Sequence, residues 1–337
     1  MALIGPGRYQ NPYRPVTRDR SSAPLATAVE RTIKGWLFGC IMCGNCILQE
    51  TAFVCPMTCA KGLRNGPCGE AQVDQCVVDP DRACTWLIIF ERAERRGALD
   101  KLLEVNAPID GARAGNEQWL DLVRFWRERK RGPRPLDLLF NPERFAEEYN
   151  SCLLDYRQPA WWQGDAQYHS PAYEAPISLL EASLRSGTFV TTAEIATPSD
   201  TGVEAIKEKS ALFKDHVTSA NFADGGFATA EMGATACCKI CLEAGVEPVR
   251  QIQGRDRSRL LLQAEALGAA ALGIRNILCL GGDHQNLGPE PFAPPVQFDL
   301  DVVQALWILR RMRDEGLYLD GREIHQRPKL FLGAAAS

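Results

Sequence analysis

The chain has 337 residues, of which 45% are hydrophobic and 24% are charged, and its formal net charge is −4. This length suggests about two domains, the apolar fraction excludes a disordered chain, and the charge provides no general nucleic-acid-binding surface. No apolar run approaches the roughly 20 residues of a membrane helix, and the polar N-terminus lacks the apolar core of a signal peptide. We therefore expect a soluble, cytoplasmic protein that binds neither nucleic acid nor membranes.

Eight of the 13 cysteines fall between residues 40 and 84. Cytoplasmic proteins seldom use disulfides, so this density of thiols predicts a metal site. The first three are spaced as C-x2-C-x2-C, and a Cys-Pro pair follows, which is typical of iron–sulfur ligation. The predicted metal ligands are Cys40, Cys43, Cys46, Cys55, Cys59, Cys68, Cys76 and Cys84.

The spacing leaves both the metal and the number of sites open. Thiolates suit an iron–sulfur cluster, such as a 4Fe–4S cluster, and they also suit zinc. Eight thiols are enough for two four-ligand sites, or for one site with spare cysteines. If the first site ends at Cys55, its last gap is longer than in the common ferredoxin run. Three later cysteines lie in a helical pattern and are expected to pack in a core: Cys237, Cys238 and Cys241.

Composition and periodicity divide the chain into four segments. Residues 1–35 are rich in Arg and Pro and are predicted to form an irregular arm. Residues 36–150 are predicted to form a small, cysteine-rich, metal-binding α domain with two amphipathic helices, the first broken at Gly97. Residues 151–178 predict a linker that packs on a neighbour, with Trp161 and Trp162 as anchors.

Residues 179–337 alternate predicted strands with helices, which demands parallel strands joined by crossovers. The strands are predicted in FVTTAEI, HVTSA, EPVRQIQ, IRNILCL and KLFLGAAA. Doubly wound sheets and (β/α)8 barrels both alternate in this way, but no GxGxxG follows the first strand. We predict an α/β fold in which this segment is a partial (β/α)8 TIM barrel. Five of eight strands are present, so the barrel is expected to be truncated, and whether the native chain continues stays open.

Two carboxylates follow predicted strands, at the end where barrels carry their reactive groups. Glu194 ends the first strand, and Asp283 comes directly after the fourth. Gly281 and Gly282, just before Asp283, allow the backbone to approach a flat ligand closely. Taken alone, each feature is equally compatible with a surface acid or an ordinary turn.

The stretch EPVRQIQGRDRSRLLLQAEALGAAALGIRNILCLGGDH resembles the flavin-binding barrel of methylenetetrahydrofolate reductases. The cysteine-rich stretch, with CxxCGNC, KGLRNGPCGE and a final C-x-W, resembles the companion domain found with some of these reductases. Together the two resemblances cover most of residues 36–337. They imply an oxidoreductase acting on CH–NH donors, which uses a flavin to reduce 5,10-methylenetetrahydrofolate to 5-methyltetrahydrofolate in one-carbon metabolism.

The resemblance also implies roles for particular residues. Glu194 matches the family's catalytic Glu, a general acid that protonates a folate nitrogen and so opens the five-membered ring. Asp283 matches the family's acidic residue beside the flavin. Residues 195–198 depart from the family pattern, and Gly281 replaces an Arg found in some members, which leaves FAD or FMN open. The implied cofactor-binding residues are Ala220, Asn221, Arg250, Gln251, Gly281, Gly282 and Asp283.

An iron–sulfur site attached to a flavin enzyme implies that single electrons arrive from an electron-donor protein, whereas zinc implies a structural or docking role. Two other functions remain open at this stage. One is a folate-dependent methyl-transfer or demethylation component, which would bind no flavin. The other is a non-catalytic, cluster-bearing scaffold. The sequence does not determine the oligomeric state.

Overall fold

A computed structural model describes residues 24–71, 74–129, 136–145, 148–149, 162, 164, 167, 169–289 and 298–335. Its helices are α1 (Pro24–Phe38), α2 (Thr85–Arg95), α3 (Trp119–Arg129), α4 (Asp137–Phe140), α5 (Leu179–Arg185), α6 (Val203–Phe213), α7 (Ala234–Glu243), α8 (Arg259–Ala271) and α9 (Val302–Asp314). Its strands are β1 (Thr192–Glu194), β2 (Ser219–Phe222), β3 (Pro248–Gln253), β4 (Asn276–Leu280) and β5 (Phe331–Ala334). Within these ranges, no helix is both long enough and apolar enough to cross a membrane.

The five strands form one parallel sheet in the order β1-β2-β3-β4-β5. This result confirms the predicted alternation of parallel strands with helices. A consecutive strand order is also the order found in (β/α)8 barrels, whereas doubly wound sheets reverse their order partway. The protein is therefore a mixed α/β structure whose sheet order is consistent with part of a barrel.

The strand register gives this sheet two distinct faces. Glu194 pairs with Asn221, and Asn221 pairs with Val249, so these side chains share one face. The opposite face packs against helices and forms the core. Phe222, for example, is fully buried in a cluster with cysteines of α7. The predicted packing role is confirmed for the three cysteines of α7, which are 0% exposed: Cys237, Cys238 and Cys241.

Helices α8 and α9 begin at side chains that satisfy free backbone N–H groups of the first turn. The hydroxyl of Ser258 accepts a hydrogen bond from the N–H of Leu261 at the start of α8. At the start of α9, Asp301 and Gln304 form a reciprocal capping box. These caps fix the points at which α8 and α9 begin.

Helix α1 corrects the prediction of an irregular arm over residues 1–35, because the chain is helical from Pro24; residues 1–23 lie outside the described ranges. The carboxylate of Glu30 is 1% exposed, and it accepts hydrogen bonds from the backbone N–H groups of Gln118 and Trp119 at 2.9–3.0 Å. It also forms an ion pair with Lys34, one helical turn later. Helix α1 is therefore part of the cysteine-rich region, so residue 36 is not a structural boundary.

Two smaller predictions can be compared directly with the structure. Helix α2 ends before Gly97, whose φ is +61°, and a 3-10 turn follows at Leu99–Leu103, which confirms the predicted break. Trp162, in the predicted linker, packs against neighbouring parts of the chain, as predicted. Its ring centroid lies 4.2 Å from that of Trp307, and its indole N–H donates to the carbonyl of Val105 at 2.9 Å. Trp161 lies outside the described residues.

Candidate metal and strand-end sites

The eight clustered cysteines separate into two groups of four, each lining its own small cavity. The first group comprises Cys40, Cys43, Cys46 and Cys55. The second group comprises Cys59, Cys68, Cys76 and Cys84. None of these cysteines forms a disulfide. In the described part of the chain, no three His, Cys, Asp or Glu side chains are arranged to hold a metal ion.

The two groups are adjacent in space because a single short turn joins them. Cys55 and Cys59 flank the 3-10 helix Pro56–Thr58, and the N–H of Cys59 donates to the carbonyl of Pro56 at 3.0 Å. A 3-10 helix rises about 2 Å per residue, which places the two Cα atoms about 8 Å apart. This arrangement places the eight cysteines in two neighbouring groups of four.

The loop of the first group is fixed by its glycine and asparagine. Gly44 has φ of +76°, and a Cβ atom at this position would lie 2.0 Å from the carbonyl oxygen of Arg113. Only glycine allows that approach. The Asn45 amide donates to the carbonyl oxygens of Cys43 at 2.7 Å and Asp110 at 3.0 Å, and its oxygen accepts from the N–H of Asp110 at 3.1 Å. The CxxCGNC segment is thus held against residues 110–113.

A backbone N–H group two residues after the cysteine donates to sulfur in the first group: the N–H of Met42 lies 3.3 Å from the sulfur of Cys40. At four further cysteines, the backbone N–H of the second residue after the thiol acts to lower its pKa: Leu48 at Cys46, Met57 at Cys55, Lys61 at Cys59 and Glu70 at Cys68. Such bonds stabilise thiolate sulfur and tune metal–thiolate sites.

Burial is the main influence on the pKa of four of these thiols: Cys46, Cys55, Cys59 and Cys68. Burial raises the pKa of Cys55 to about 12, against the lowering effect of the Met57 N–H group. It also raises the pKa of Cys46, Cys59 and Cys68, again against backbone N–H groups that lower it. A bound metal would supply the positive charge that stabilises buried thiolates. The chemistry of the donor set therefore fits a thiolate-bound metal centre in each cavity.

The second candidate site is the edge of the sheet where the strands end, because three loops meet there. Arg255, after β3, donates to the carbonyl oxygens of Gly225 at 3.1 Å and Asp283 at 3.2 Å. The carboxylate of Asp283 accepts from the N–H of Phe227 at 2.7 Å. The loops after β2, β3 and β4 therefore hold one another, and they fix the Asp283 carboxylate at this edge.

Glu194 lies at the same edge but does not contact Asp283. It is exposed at the end of β1, and its carboxylate lies 3.5 Å from the Gln251 amide nitrogen, on the face that carries Asn221. Three strand spacings separate β1 from β4, which is about 14 Å along the sheet. The structure places Glu194, Asn221, Gln251 and the Gly281–Gly282–Asp283 turn at one edge, as the sequence predicts.

Two other predicted cofactor-binding residues lie on the opposite face. Arg250 is 1% exposed, and it donates to the Thr235 hydroxyl at 2.6 Å and to the Glu265 carboxylate at 2.7 Å, on the helix side. Ala220 is fully buried in the core cluster with α7. Because neighbouring residues of a strand point to opposite faces, Arg250 and Gln251 do not line one pocket. The structure does not bring the side chains of Ala220 and Arg250 together with Glu194.

Sequence reasoning missed Gln253, which lies on the same face as Gln251. Gln253 is 5% exposed, and its side-chain amide oxygen, Oε1, has no hydrogen-bond partner in the described structure. Gly282 has φ of +85°, and a Cβ atom there would lie 2.7 Å from that oxygen. Period-two alternation along β3 is the signal that would have identified it.

A second missed residue is Glu231, in the loop after β2. Its carboxylate accepts hydrogen bonds from the hydroxyl of Thr197, which is 7% exposed, and from Thr229 at 3.2 Å. It adds a third carboxylate to the strand-end edge, next to the loop that follows Glu194. No sequence pattern identifies Glu231, because it lies in an irregular loop.

The two candidate sites meet at an interface formed mainly by polar groups. The Lys61 ammonium, from the cysteine-rich region, donates to the carbonyl oxygen of Gly282 at 2.8 Å. The Asn65 amide donates to the Asp301 carboxylate at 2.8 Å, and the Arg259 guanidinium donates to the carbonyl of Ile109 at 2.9 Å. The segments predicted from composition as separate domains therefore share bonds in the structure.

Residues 21–112 match the sequence model of the family described as methylene-tetrahydrofolate reductase C terminal. A search of curated proteins finds no match to the chain. The matched segment contains helix α1 and both cysteine groups, so the cysteine-rich region is similar to that reductase domain.

Proposed function

We propose that the protein is a flavin-dependent reductase of 5,10-methylenetetrahydrofolate that receives electrons through its cysteine-rich region. One observation carries the proposal. The segment similar to the reductase domain contacts the strand-end turn that bears Asp283, through the 2.8 Å bond between Lys61 and Gly282. The consecutive strand order supports the view that the sheet is part of a (β/α)8 barrel, in which reactive groups lie at this edge.

The strand-end residues fit a flat cofactor that donates hydrogen bonds. Gln253 provides a buried oxygen without a partner, and Gly282 presents backbone where a side chain would collide with that oxygen. Gln251, Gln253 and the 281–283 turn would hold the ring system. When bound, a flavin supplies the hydride that reduces the folate. The residues described leave FAD or FMN open.

Glu194 is suited to act on the folate because it is exposed at the strand end. The Gln251 amide lies within 3.5 Å of its carboxylate and can orient it. As a general acid, Glu194 would give its proton to a folate nitrogen, so that the five-membered ring opens to an electrophilic iminium. Asp283, held by the Phe227 N–H group, would favour that cationic folate through its negative charge.

The two cysteine groups would each hold one iron–sulfur cluster. Such clusters carry single electrons, which a flavin enzyme can combine for a two-electron reduction. The short turn between Cys55 and Cys59 brings the two groups close, and the second group lies nearest the 281–283 turn through Lys61. An electron-donor protein would then serve as the partner.

Metal and flavin analysis of the purified, anaerobically prepared protein tests the proposal. We expect about eight iron atoms per chain, from two four-iron clusters, and one flavin. Stoichiometric zinc without iron would contradict electron delivery through the cysteines. Metal without flavin would instead favour the folate-dependent methyl-transfer component.

A further inference from the structure

Lys61 belongs to the cysteine-rich region by sequence but contacts the strand-end loop through its side chain. It lies two residues after Cys59 and is 1% exposed. Its ammonium donates to both carboxylate oxygens of Glu70, at 2.7 and 2.8 Å, and to the carbonyl oxygen of Gly282 at 2.8 Å. Three ammonium protons thus have three acceptors, and these come from both regions.

The surroundings of Lys61 reinforce the connection. Its own carbonyl accepts from the N–H of Phe298 at 3.1 Å, and its ammonium lies 5.9 Å from the centre of the Phe298 ring. Phe298 stacks on His284, with 6.3 Å between ring centroids, and packs in the cluster that contains Trp86. The strand-end loop therefore meets the cysteine-rich region at a small buried contact with Lys61 at its centre.

Both members of the ion pair also lie close along the chain to cysteines of the second group. Lys61 lies two residues after Cys59, and Glu70 lies two residues after Cys68. A displacement of the backbone at either cysteine therefore displaces one end of the ion pair. Because the Lys61 ammonium is buried, loss of the Gly282 carbonyl would leave one of its protons without an acceptor, which is costly for a buried charge.

We propose that Lys61 is a positioning residue that links the second cysteine group to the strand-end loop, so that the order of residues 281–289 follows the metal occupancy of that group. The inference rests on the metal-binding part of the proposed function, and it is independent of flavin and folate chemistry. It assigns to the cysteine-rich region a mechanical role at the strand-end site in addition to electron delivery.

Hydrogen–deuterium exchange of residues 281–289 tests the link, measured on the full chain in metal-loaded and chelator-treated forms. We expect chelation to speed exchange in this loop about tenfold, and Lys61→Met to do the same in the loaded protein. In Lys61→Met, chelation should add nothing further at this loop, because the link is already broken. Lys61→Arg, which keeps the charge, should restore part of the protection.

Lys34→Met provides the matched control. Lys34 is also buried in the cysteine-rich region and forms an ion pair with Glu30, near the first cysteine group. The Lys34→Met variant should leave hydrogen–deuterium exchange at residues 281–289 unchanged. Equal loosening by Lys34→Met, or an unchanged loop in Lys61→Met, would overturn the proposal.

Glu70→Gln covers the case in which Lys61→Met fails to fold, since the Glu70 side chain is 34% exposed and can be replaced with less disruption. It weakens the anchor of Lys61 and should loosen the same loop; an unaffected loop overturns the link. Wild-type protein that binds no metal would refute the proposed metal occupancy together with this link. Metal binding to which the loop does not respond would refute only the link.

Discussion

The cysteine-rich region and the parallel sheet are held together by different means. The sheet packs on its helices through two large clusters, with fifteen and eleven buried apolar residues. The cysteine-rich region has two clusters with only four and three such residues, one of which, Phe298, comes from the sheet side. It relies instead on polar side chains such as Asn45 and Arg64, which bind backbone carbonyls. A region with so little apolar burial needs another source of stability, and eight thiols around two cavities provide the ligands for one.

Metal removal should show the difference in stability between the two regions most clearly. We expect chelation to remove hydrogen-exchange protection over residues 40–84, because metal binding supplies much of the free energy of folding there. Helices α8 and α9, in the sheet region, should keep theirs. The measurement is peptide-resolved exchange before and after chelation. Protection that is unchanged over residues 40–84 would show that this region folds without metal.

The Glu194→Gln substitution should lower the activity at the strand-end site without affecting the cysteine-rich region. We expect folate reduction to fall by about 10²- to 10⁴-fold, the usual effect of losing a general acid, while metal and flavin contents stay as in the wild type. Steady-state turnover under anaerobic conditions checks this result. Glu204→Gln, at an exposed acid on α6, is the control and should turn over normally. Full activity in Glu194→Gln would remove this residue from the mechanism.

The neighbouring glycines before Asp283 allow a matched comparison. Gly282→Ala forces a side chain into a left-handed conformation and against Gln253, at a cost of about 1–2 kcal/mol. It should weaken flavin binding without changing the metal content. At Gly281 a Cβ atom would meet no protein atom within 4 Å and needs no left-handed conformation, so Gly281→Ala should weaken flavin binding less than Gly282→Ala does. Flavin titration followed by fluorescence distinguishes the two variants; equal affinities would contradict the assigned role of the turn.

The smallest expected effect is a pH dependence at the contact between the regions. Burial, and then the charge of Lys61, lower the pKa of His284 below 6.5, and its Nδ1 accepts from the N–H of Asn286 at 3.2 Å. The unfolded chain therefore takes up a proton near pH 6.5 that the folded protein does not, so the free energy of unfolding should fall as pH drops through 6.5. Thermal unfolding between pH 7.5 and 5.5 measures the slope. His284→Asn should reduce this slope, and an unchanged slope in that variant would contradict the assignment to His284.

The periodicity of the sequence predicts the alternating strands and helices, the broken helix at Gly97 and the core cysteines of α7, because these features depend on neighbours along the chain. It does not predict the bond between Lys61 and Gly282, because 221 residues separate the two partners. Helix α1 was missed although Leu25, Val29, Ile33 and Trp36 recur at helical spacing; these side chains are exposed, and the buried face carries the Glu30–Lys34 pair instead.

For the candidate sites, cysteine spacing predicts the ligands but not their division into two groups, which depends on how residues 56–84 fold back. The predicted positions of Glu194 and Asp283 at strand ends agree with the structure, in which both lie at one edge of the sheet. Family resemblance added Ala220 and Arg250, whose side chains the register places on the helix side. Glu231 lies in an irregular loop, where only the folded structure shows its contact with Thr197.

Reoxidation of the bound flavin tests the central claim most directly. The protein, reduced anaerobically with a chemical reductant, is mixed with 5,10-methylenetetrahydrofolate while flavin absorbance is followed. We predict that the absorbance of oxidised flavin returns when the folate is in excess, and that two 5-methyltetrahydrofolate form per flavin, because the reduced flavin holds two electrons and each of the two clusters adds one. Reduced flavin that does not respond to the folate would contradict the proposed reductase activity.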